Sequence, residues 1–565
     1  SGWRAGGSPT SANNIYLGER YDARLEAAAE GWGRVGFDDR AWSAAVPVPV
    51  GPGELGALVA QSVPPIRRQG ELTAHEVSRR QLAAGKQQGA DDAAAAATGR
   101  IAANGSLLIL DAGKNLAGTC RLAVRGSRGD VVKVRYGELL GADGSLNVMT
   151  SVAGQIKAAN PSAPCQPAVA FQGDVLTLSG HPGGDVWQPA YSWHGFRFLE
   201  VSLPPGAALT APVVCHPLRT DVDVVANFSS SEPKLAALRT LARNTYDSNL
   251  MSIQSDCPHR ERFGYGGDAL GCGEAGLSIY DFEAFYAKRV RDFTDDLIVT
   301  ADDTARSRHK VSRHDKDESH SSNGDRSTGE RVARGLGAAR GVPSGGLLSG
   351  GFPETAPFVG ISDGGVGPAG SGPIGWQAFV PEAQLWLYKV RPARPAAPSV
   401  PPMASKKPAA LAVAAPISRP LVSFARRHRR HRQYYGDVGT MARAYNATAA
   451  FVRMLDAAPA AAIEGGLGDW MPVDATSTAL TGRAFQRNAY LAFANISAIL
   501  GDRDTAATYR RKAEDVRRAI NERFLDVSSG VYHARSSSEG LSAPRVAGGG
   551  VGGVGAPAGS GGGAS

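Results

Sequence analysis

β-Sandwich domains followed by an all-α part are the fold class this sequence predicts, on three observations. With 565 residues the chain is too long for one hydrophobic core, and its 42% hydrophobic content suits a globular protein of several domains. Up to about residue 218 apolar residues alternate with polar ones between Gly-Asp and Asp-Gly turns, the pattern of half-buried strands. After Phe228 the apolar spacing changes to three and four, which is the period of a helix.

In order along the chain, residues 13–75 carry short apolar patches broken by Gly and Pro, with Tyr16, Tyr21, Trp32, Phe37 and Trp42 as aromatic anchors. That reads as a small N-terminal β-domain. Residues 76–104 are rich in Ala, Gln and Arg without a stable period and read as a linker or insertion. Residues 105–218 form the second β-domain, a sandwich. Its strands are Leu107-Leu108-Ile109-Leu110-Asp111, Arg121-Leu122-Ala123-Val124-Arg125, Val131-Val132-Lys133-Val134-Arg135-Tyr136 and Asp174-Val175-Leu176-Thr177-Leu178, closed by His194 to Val201. Residues 219–535 are helical. Leu235, Leu238, Leu241 and Ala242 mark the first helix, with Ser229 to Ser231 as possible N-caps, and further helices are expected over 280–299, 436–457, 484–500 and 505–524. Antiparallel helix hairpins are the natural architecture. Segments 303–348, 390–433 and 536–565 are Arg/Ser/Gly-rich, Pro/Ala/Arg-rich and Gly/Ala/Ser-rich, with too little apolar surface to offset about 1–2 kcal/mol of ordering entropy per residue, so disorder is expected in all three.

The net charge of +8 raises the question of nucleic acid, but ten Lys and Arg with no acid lie between Val390 and Gln433, and removing them leaves −2. The run Arg426 to Arg432 lacks interleaved aromatic stacking residues, so a nucleic-acid partner is not expected. No apolar run reaches the about 18 residues that a membrane-spanning helix needs. The sequence opens Ser1-Gly2-Trp3 without a signal pattern, and Asn104, Asn227, Asn446 and Asn495 head glycosylation sequons, so an extracellular and a cytoplasmic location both stay open. Five cysteines without a CxxC pair indicate neither a disulfide framework nor a zinc site, and Cys257 and Cys272 are expected to be small buried apolar groups.

The densest chemistry is the string Asp256-Cys257-Pro258-His259-Arg260-Glu261-Arg262-Phe263-Gly264-Tyr265-Gly266-Gly267-Asp268. Three carboxylates interleaved with two arginines, between turn-forming Pro and Gly, are costly to bring together unless they bind a polar ligand or move protons. The bland alternative is an ion-pair network capping a helix. This string closely resembles the signature of the bacterial-type α-L-rhamnosidases, glycoside hydrolase family 78. Other sites follow in the family's order: Tyr16 to Arg24 with Phe37 to Trp42, Asp111 to Gly118, His194 to Phe198, Gly351 to Pro357, Gly372 to Trp376, Tyr434 to Asp437 and Gly468 to Trp470.

The resemblance implies a catalytic domain of the six-hairpin (α/α)6 toroid type and release of terminal, non-reducing α-L-rhamnose from a glycoside or polysaccharide. Cleaving a glycosidic bond needs an acid to protonate the leaving oxygen, and Glu261 is the candidate. By resemblance Asp256 and Asp268 hold sugar hydroxyls, with Arg260 beside them as a further polar contact. Tyr265, Trp376 and Trp470 supply an aromatic wall for the C5 methyl and apolar face of a 6-deoxy sugar, although the two tryptophans are equally at home in a core. Tyr265 departs from the Trp the family usually carries there. Glu354 and Asp469 are weaker candidates, His194 and His259 are expected to be structural, and no metal or organic cofactor is required.

The family inverts the anomeric centre, which needs a second carboxylate roughly 6.5–9.5 Å from the acid to activate water. No residue of this chain matches that base. Without the two internal insertions, 219–535 leaves about 230 residues, room for about nine helices, so an incomplete toroid is expected. Joining Leu387-Tyr388-Lys389 to Tyr434-Tyr435 restores a continuous helix-entry pattern, so 390–433 and the tail read as translated non-coding sequence. Two other readings compete with an active rhamnosidase: a rhamnoside-binding remnant without turnover, and a six-hairpin glycosidase with another sugar preference. Aglycone, linkage and oligomeric state are not legible.

Overall fold

The computed structural model describes residues 2–47, 59–82, 104–153, 170–299, 350–359, 365–388, 435–466 and 477–532. The segments 303–348, 390–433 and 536–565, expected to be disordered, lie outside the described residues, as do Cys165, Asp469, Trp470 and the basic run at 426–432.

Twelve strands make one curled sheet: β1 (Thr10–Asn14), β2 (Gly18–Asp22), β3 (Ile66–Arg68), β4 (Leu72–Thr73), β5 (His75–Gln81), β6 (Ser106–Arg125), β7 (Val131–Gly137), β8 (Gly173–Thr177), β9 (Asp185–Trp187), β10 (His194–Leu203), β11 (Ala208–Leu209) and β12 (Val214–Thr220). The path runs β1-β2-β8-β7-β10-β6-β12-β3, with β5, β9 and β11 on β6 and β4 on β12. The 20-residue β6 makes the curl possible. Its first half pairs with β5 and β10, and its second half with β12, β9 and β11. Inward residues such as Leu108, Leu110, Val132, Val134, Leu199 and Val201 fill the core between the two sides.

Several expectations change here. Strands of the stretch expected as a small N-terminal β-domain pair with strands of the stretch expected as a sandwich: β2 adds in parallel to β8, and β3 and β4 add to β12. The stretch from residue 76, expected as a linker, begins as strand β5. Cys120 and Cys215, expected to be unpaired, sit directly opposite each other on β6 and β12 and form a disulfide across a sequence separation of 95. Only sheet register brings them together, and register between distant strands leaves no mark in residue spacing.

The helical part begins with α1 (Pro233–Asn249), α2 (Gly266–Leu277) and α3 (Glu283–Asp295) and continues with α4 (Ile374–Gln377), α5 (Phe379–Tyr388), α6 (Val438–Ala457), α7 (Ala460–Glu464), α8 (Thr478–Ile499) and α9 (Arg503–Phe524). Tyr280, Phe282, Phe285, Tyr286 and Phe293 meet Phe379, Trp386, Phe451 and Phe493 in a second core. The α8–α9 hairpin turns on Gly501 at φ 89°, a left-handed position after a helix that suits glycine, and Asp502 then caps α9 by accepting from the Thr505 N–H at 3.1 Å. α1 starts at Glu232 and Pro233 rather than at the expected serines: the Glu232 carboxylate caps the Lys234 N–H at 3.0 Å and Pro233 presets the first helical φ. Its apolar stripe does not face a core, Leu238 being 62% exposed with Leu235 and Leu241 also exposed. Among the described residues no helix is long and apolar enough to cross a membrane.

At four places the chain on either side of an undescribed stretch is paired. Leu82 donates to Gly105 O at 2.8 Å, Ala153 pairs with Ala170, Val299 with Gly350, and the Asp437 N–H donates to Leu387 O at 3.2 Å.

Candidate active site

The acidic string leads directly into α2. Asp256 closes the loop: its Oδ1 accepts from the Phe263 N–H at 3.0 Å, and its own N–H donates to Phe263 O at 3.1 Å. Between these ends the chain reverses at Arg262, whose φ is 60°. Tyr265 then stands at the N-cap of α2, and Asp268 lies in its first turn, where the helix dipole favours negative charge.

Glu261 is held at all three of its polar points. Its N–H faces Cys257 Sγ at 3.3 Å, its carbonyl accepts from Tyr16 Oη at 2.9 Å, and Oε2 of its carboxylate accepts from Tyr265 Oη at 2.8 Å. Tyr16, Phe263 and Tyr265 pack as an aromatic cluster with Trp376 against it. The indole lies over the start of α2 so closely that a Cβ on Gly267 would come within 2.6 Å of the ring. The other side of the site is the 352–357 segment. Gly266 N–H donates to Glu354 O and Ala356 N–H to Gly264 O, both at 3.1 Å, and the fully buried Arg289 ties Gly264 O and Ala356 O together.

Burial raises the Asp256 carboxyl from its ordinary 3.8 to about 7; Cys257 Sγ, 2.9 Å from Oδ2, and the Phe263 N–H oppose the rise, while the charges of Glu261 and Asp268 add to it. Asp268 is also raised, by burial and then by Glu261. Three carboxyl groups thus share one partly desolvated region, where a sugar hydroxyl or a proton would find strong partners.

The two arginines do not neutralise them: among the described residues neither forms an ion pair with Asp256, Glu261 or Asp268. Arg262 points away into the sheet. Arg260 reaches Met149 O at 3.5 Å, and its charge acts on Glu138, whose carboxyl burial raises. His259 lies 3.5 Å from that carboxylate, and burial with the flanking Arg260 and Arg262 lowers its pKa to about 4.

Of the residues expected at the site, Asp256, Glu261, Tyr265, Asp268 and Trp376 are gathered around the start of α2. Arg260 is turned toward the sheet side of the loop, and Trp470 lies outside the described residues. Tyr265, expected to stack on sugar, is a buried donor to Glu261. Cys257, expected to be inert filling, is half-buried and bonded within the loop, and Cys272 is exposed. Sequence reading passed over Gln172 altogether and gave Tyr16 only a packing role; 90 and 245 residues separate them from their loop partners. Among the described residues no cluster of His, Cys, Asp and Glu could hold a metal ion.

Three family domains match this architecture in order: the alpha-L-rhamnosidase N-terminal domain over residues 1–70, the bacterial alpha-L-rhamnosidase concanavalin-like domain over 101–216, and the bacterial alpha-L-rhamnosidase 6 hairpin glycosidase domain over 223–300 and 385–543. The chain belongs to the bacterial α-L-rhamnosidases. Within this family it is 31% identical over 267 residues to an α-L-rhamnosidase of Streptomyces avermitilis, a match covering 47% of this chain and 22% of that relative. It is 28% identical over 301 residues to one of Formosa agariphila, covering 53% and 27%. The fold is similar to α-L-rhamnosidase from Dictyoglumus thermophilum, with a TM-score of 0.61, 20% identity and coverage of 94% of this chain and 45% of that one. It is also similar to the Streptomyces avermitilis α-L-rhamnosidase complexed with L-rhamnose, with a TM-score of 0.60, 23% identity and coverage of 93% and 37%. The matched stretch spans about a quarter of the curated rhamnosidases' length.

Proposed function

We propose that this chain releases terminal, non-reducing α-L-rhamnose from rhamnosides with inversion, Glu261 acting as general acid. The helical part is read as belonging to the family's six-hairpin (α/α)6 toroid. The observation that carries the role of Glu261 is its placement: a carboxyl oriented by Tyr265 Oη at 2.8 Å, beside two carboxyls whose protonated forms burial favours. Asp256 and Asp268 are read as acceptors for sugar hydroxyls, and Trp376 as the apolar wall. No general base is assigned.

Hydrolysis of p-nitrophenyl α-L-rhamnoside tests the reading. Glu261→Gln is expected to lower kcat by about 10²–10⁴ on substrates with poor leaving groups. Full activity of that variant on methyl α-L-rhamnoside, whose leaving group needs protonation, would remove Glu261 from the role. No turnover in the parent chain, with rhamnose still bound, would favour a binding protein over an enzyme.

A further inference from the structure

The loop that carries Glu261 is gripped from the sheet. Arg262 holds a left-handed backbone conformation, unfavourable for a residue with a Cβ, immediately after Glu261. Its buried guanidinium donates to Pro258 O at 2.9 Å, to Ile15 O and to Gln172 Oε1, and lies 4.1 Å from the centre of the Trp193 ring. The Gln172 amide makes four bonds. Its Nε2 donates to Ser151 O at 2.7 Å and to His259 O, and its Oε1 accepts from Arg262 and faces His194 Nδ1 at 3.1 Å. Guanidinium groups only donate and peptide carbonyls only accept, so the amide can point one way only, and His194 Nδ1 must be the donor to it. On its other side His194 Nε2 meets Asp174 Oδ2 at 2.9 Å. That carboxylate also accepts from Tyr136 Oη at 2.6 Å and, through Oδ1, from the Glu19 N–H at 2.7 Å.

Tyr136, Asp174, His194, Gln172 and Arg262 are all buried, so the relay runs without solvent from the sheet core to both sides of Glu261. The backbones touch as well: a Cβ on Gly195 of β10 would fall 2.6 Å from the Pro258 carbonyl carbon. We propose that Gln172, fixed by His194 and Asp174, is a positioning residue for catalysis: it clamps the His259 carbonyl before Glu261 and the Arg262 guanidinium after it, and so sets where the Glu261 carboxyl points. This rests on the reading of Glu261 as the acid. A buried amide with every donor and acceptor used tolerates one geometry, which is the property a positioning group needs.

The test is Gln172→Met in the full chain, which keeps length and removes all four bonds, with Gln172→Asn as a milder second variant. Two readouts are taken. Amide hydrogen exchange is expected to quicken by about tenfold or more over 258–265 while the 196–203 amides of β10 keep their protection. In hydrolysis, kcat should fall at least about tenfold further for methyl α-L-rhamnoside than for the dinitrophenyl glycoside, whose leaving group needs little protonation, with KM moving less. Unchanged exchange over 258–265 in both variants overturns the proposal, and so does an equal loss on both substrates with β10 intact. Glu261→Gln, run alongside, separates the two ideas: if it lacks the leaving-group signature, the acid assignment fails, and exchange alone then decides the role of Gln172. Exchange also decides if the parent chain shows no turnover.

Discussion

Replacing Asp256 by Asn should flatten the pH dependence of stability. In the folded chain burial raises this carboxyl from 3.8 to about 7, so folding favours its protonated form. The stabilisation is therefore fully present below about pH 4 and is lost as the pH rises through about 7. At 1.36 kcal/mol per pKa unit the whole shift corresponds to about 4 kcal/mol, more than half of which falls between about pH 5 and pH 8. Asn keeps an oxygen for the Phe263 N–H and does not titrate. Asp268, raised in the same sense, and His259, whose lowered pKa withdraws stability as pH falls, are present in parent and variant alike, so they largely cancel in the comparison. Urea unfolding followed at the two pH values measures it: the parent should lose about 2–3 kcal/mol more than the variant on going from about pH 5 to pH 8. Parallel losses would refute the account of Asp256 as a buried, proton-holding loop closer.

Tyr265→Phe removes the donor to Glu261 while keeping the ring, and should lower kcat by about tenfold with little change in stability, measured by steady-state kinetics beside thermal unfolding. Changing Cys120 and Cys215 together to Ala should cost about 2–4 kcal/mol in denaturant unfolding, because the bridge closes a long stretch of chain. Leu238→Ser, on the exposed stripe of α1, should change stability by no more than about 0.5 kcal/mol; a cost above about 2 kcal/mol would mean that this face is covered in solution.

Much of the architecture could be read from period alone. The two-residue alternation around Val132 and Val134 and the three-four spacing of α8 and α9 report which face an element hides, and in those cases the face found a core. In α1 the same spacing produced a helix whose leucines lie open, because periodicity describes a face and not what covers it. The acidic string marked the site because its residues sit within thirteen positions of each other. Gln172, His194 and Asp174 act on that site through sheet register, as Cys120 and Cys215 act on each other. A single sequence carries no record of such pairings, and Gln172 on its own has nothing to distinguish it from a surface amide.

The paired edges at Leu82 and Gly105, Ala153 and Ala170, Val299 and Gly350, and Leu387 and Asp437 have a consequence for engineering and for descent. Where the chain leaves and rejoins the scaffold at hydrogen-bonded neighbours, such as Leu387 and Asp437 at 3.2 Å, the scaffold's geometry does not depend on how many residues lie between. Closing a longer loop costs only about 0.6 kcal/mol per doubling of its length, so these positions can gain or lose tens of residues at small thermodynamic expense. They are natural splice points: replacing 390–433 by a short turn should leave α5 and α6 packed as they are, and new sequence placed there would be carried without disturbing the site.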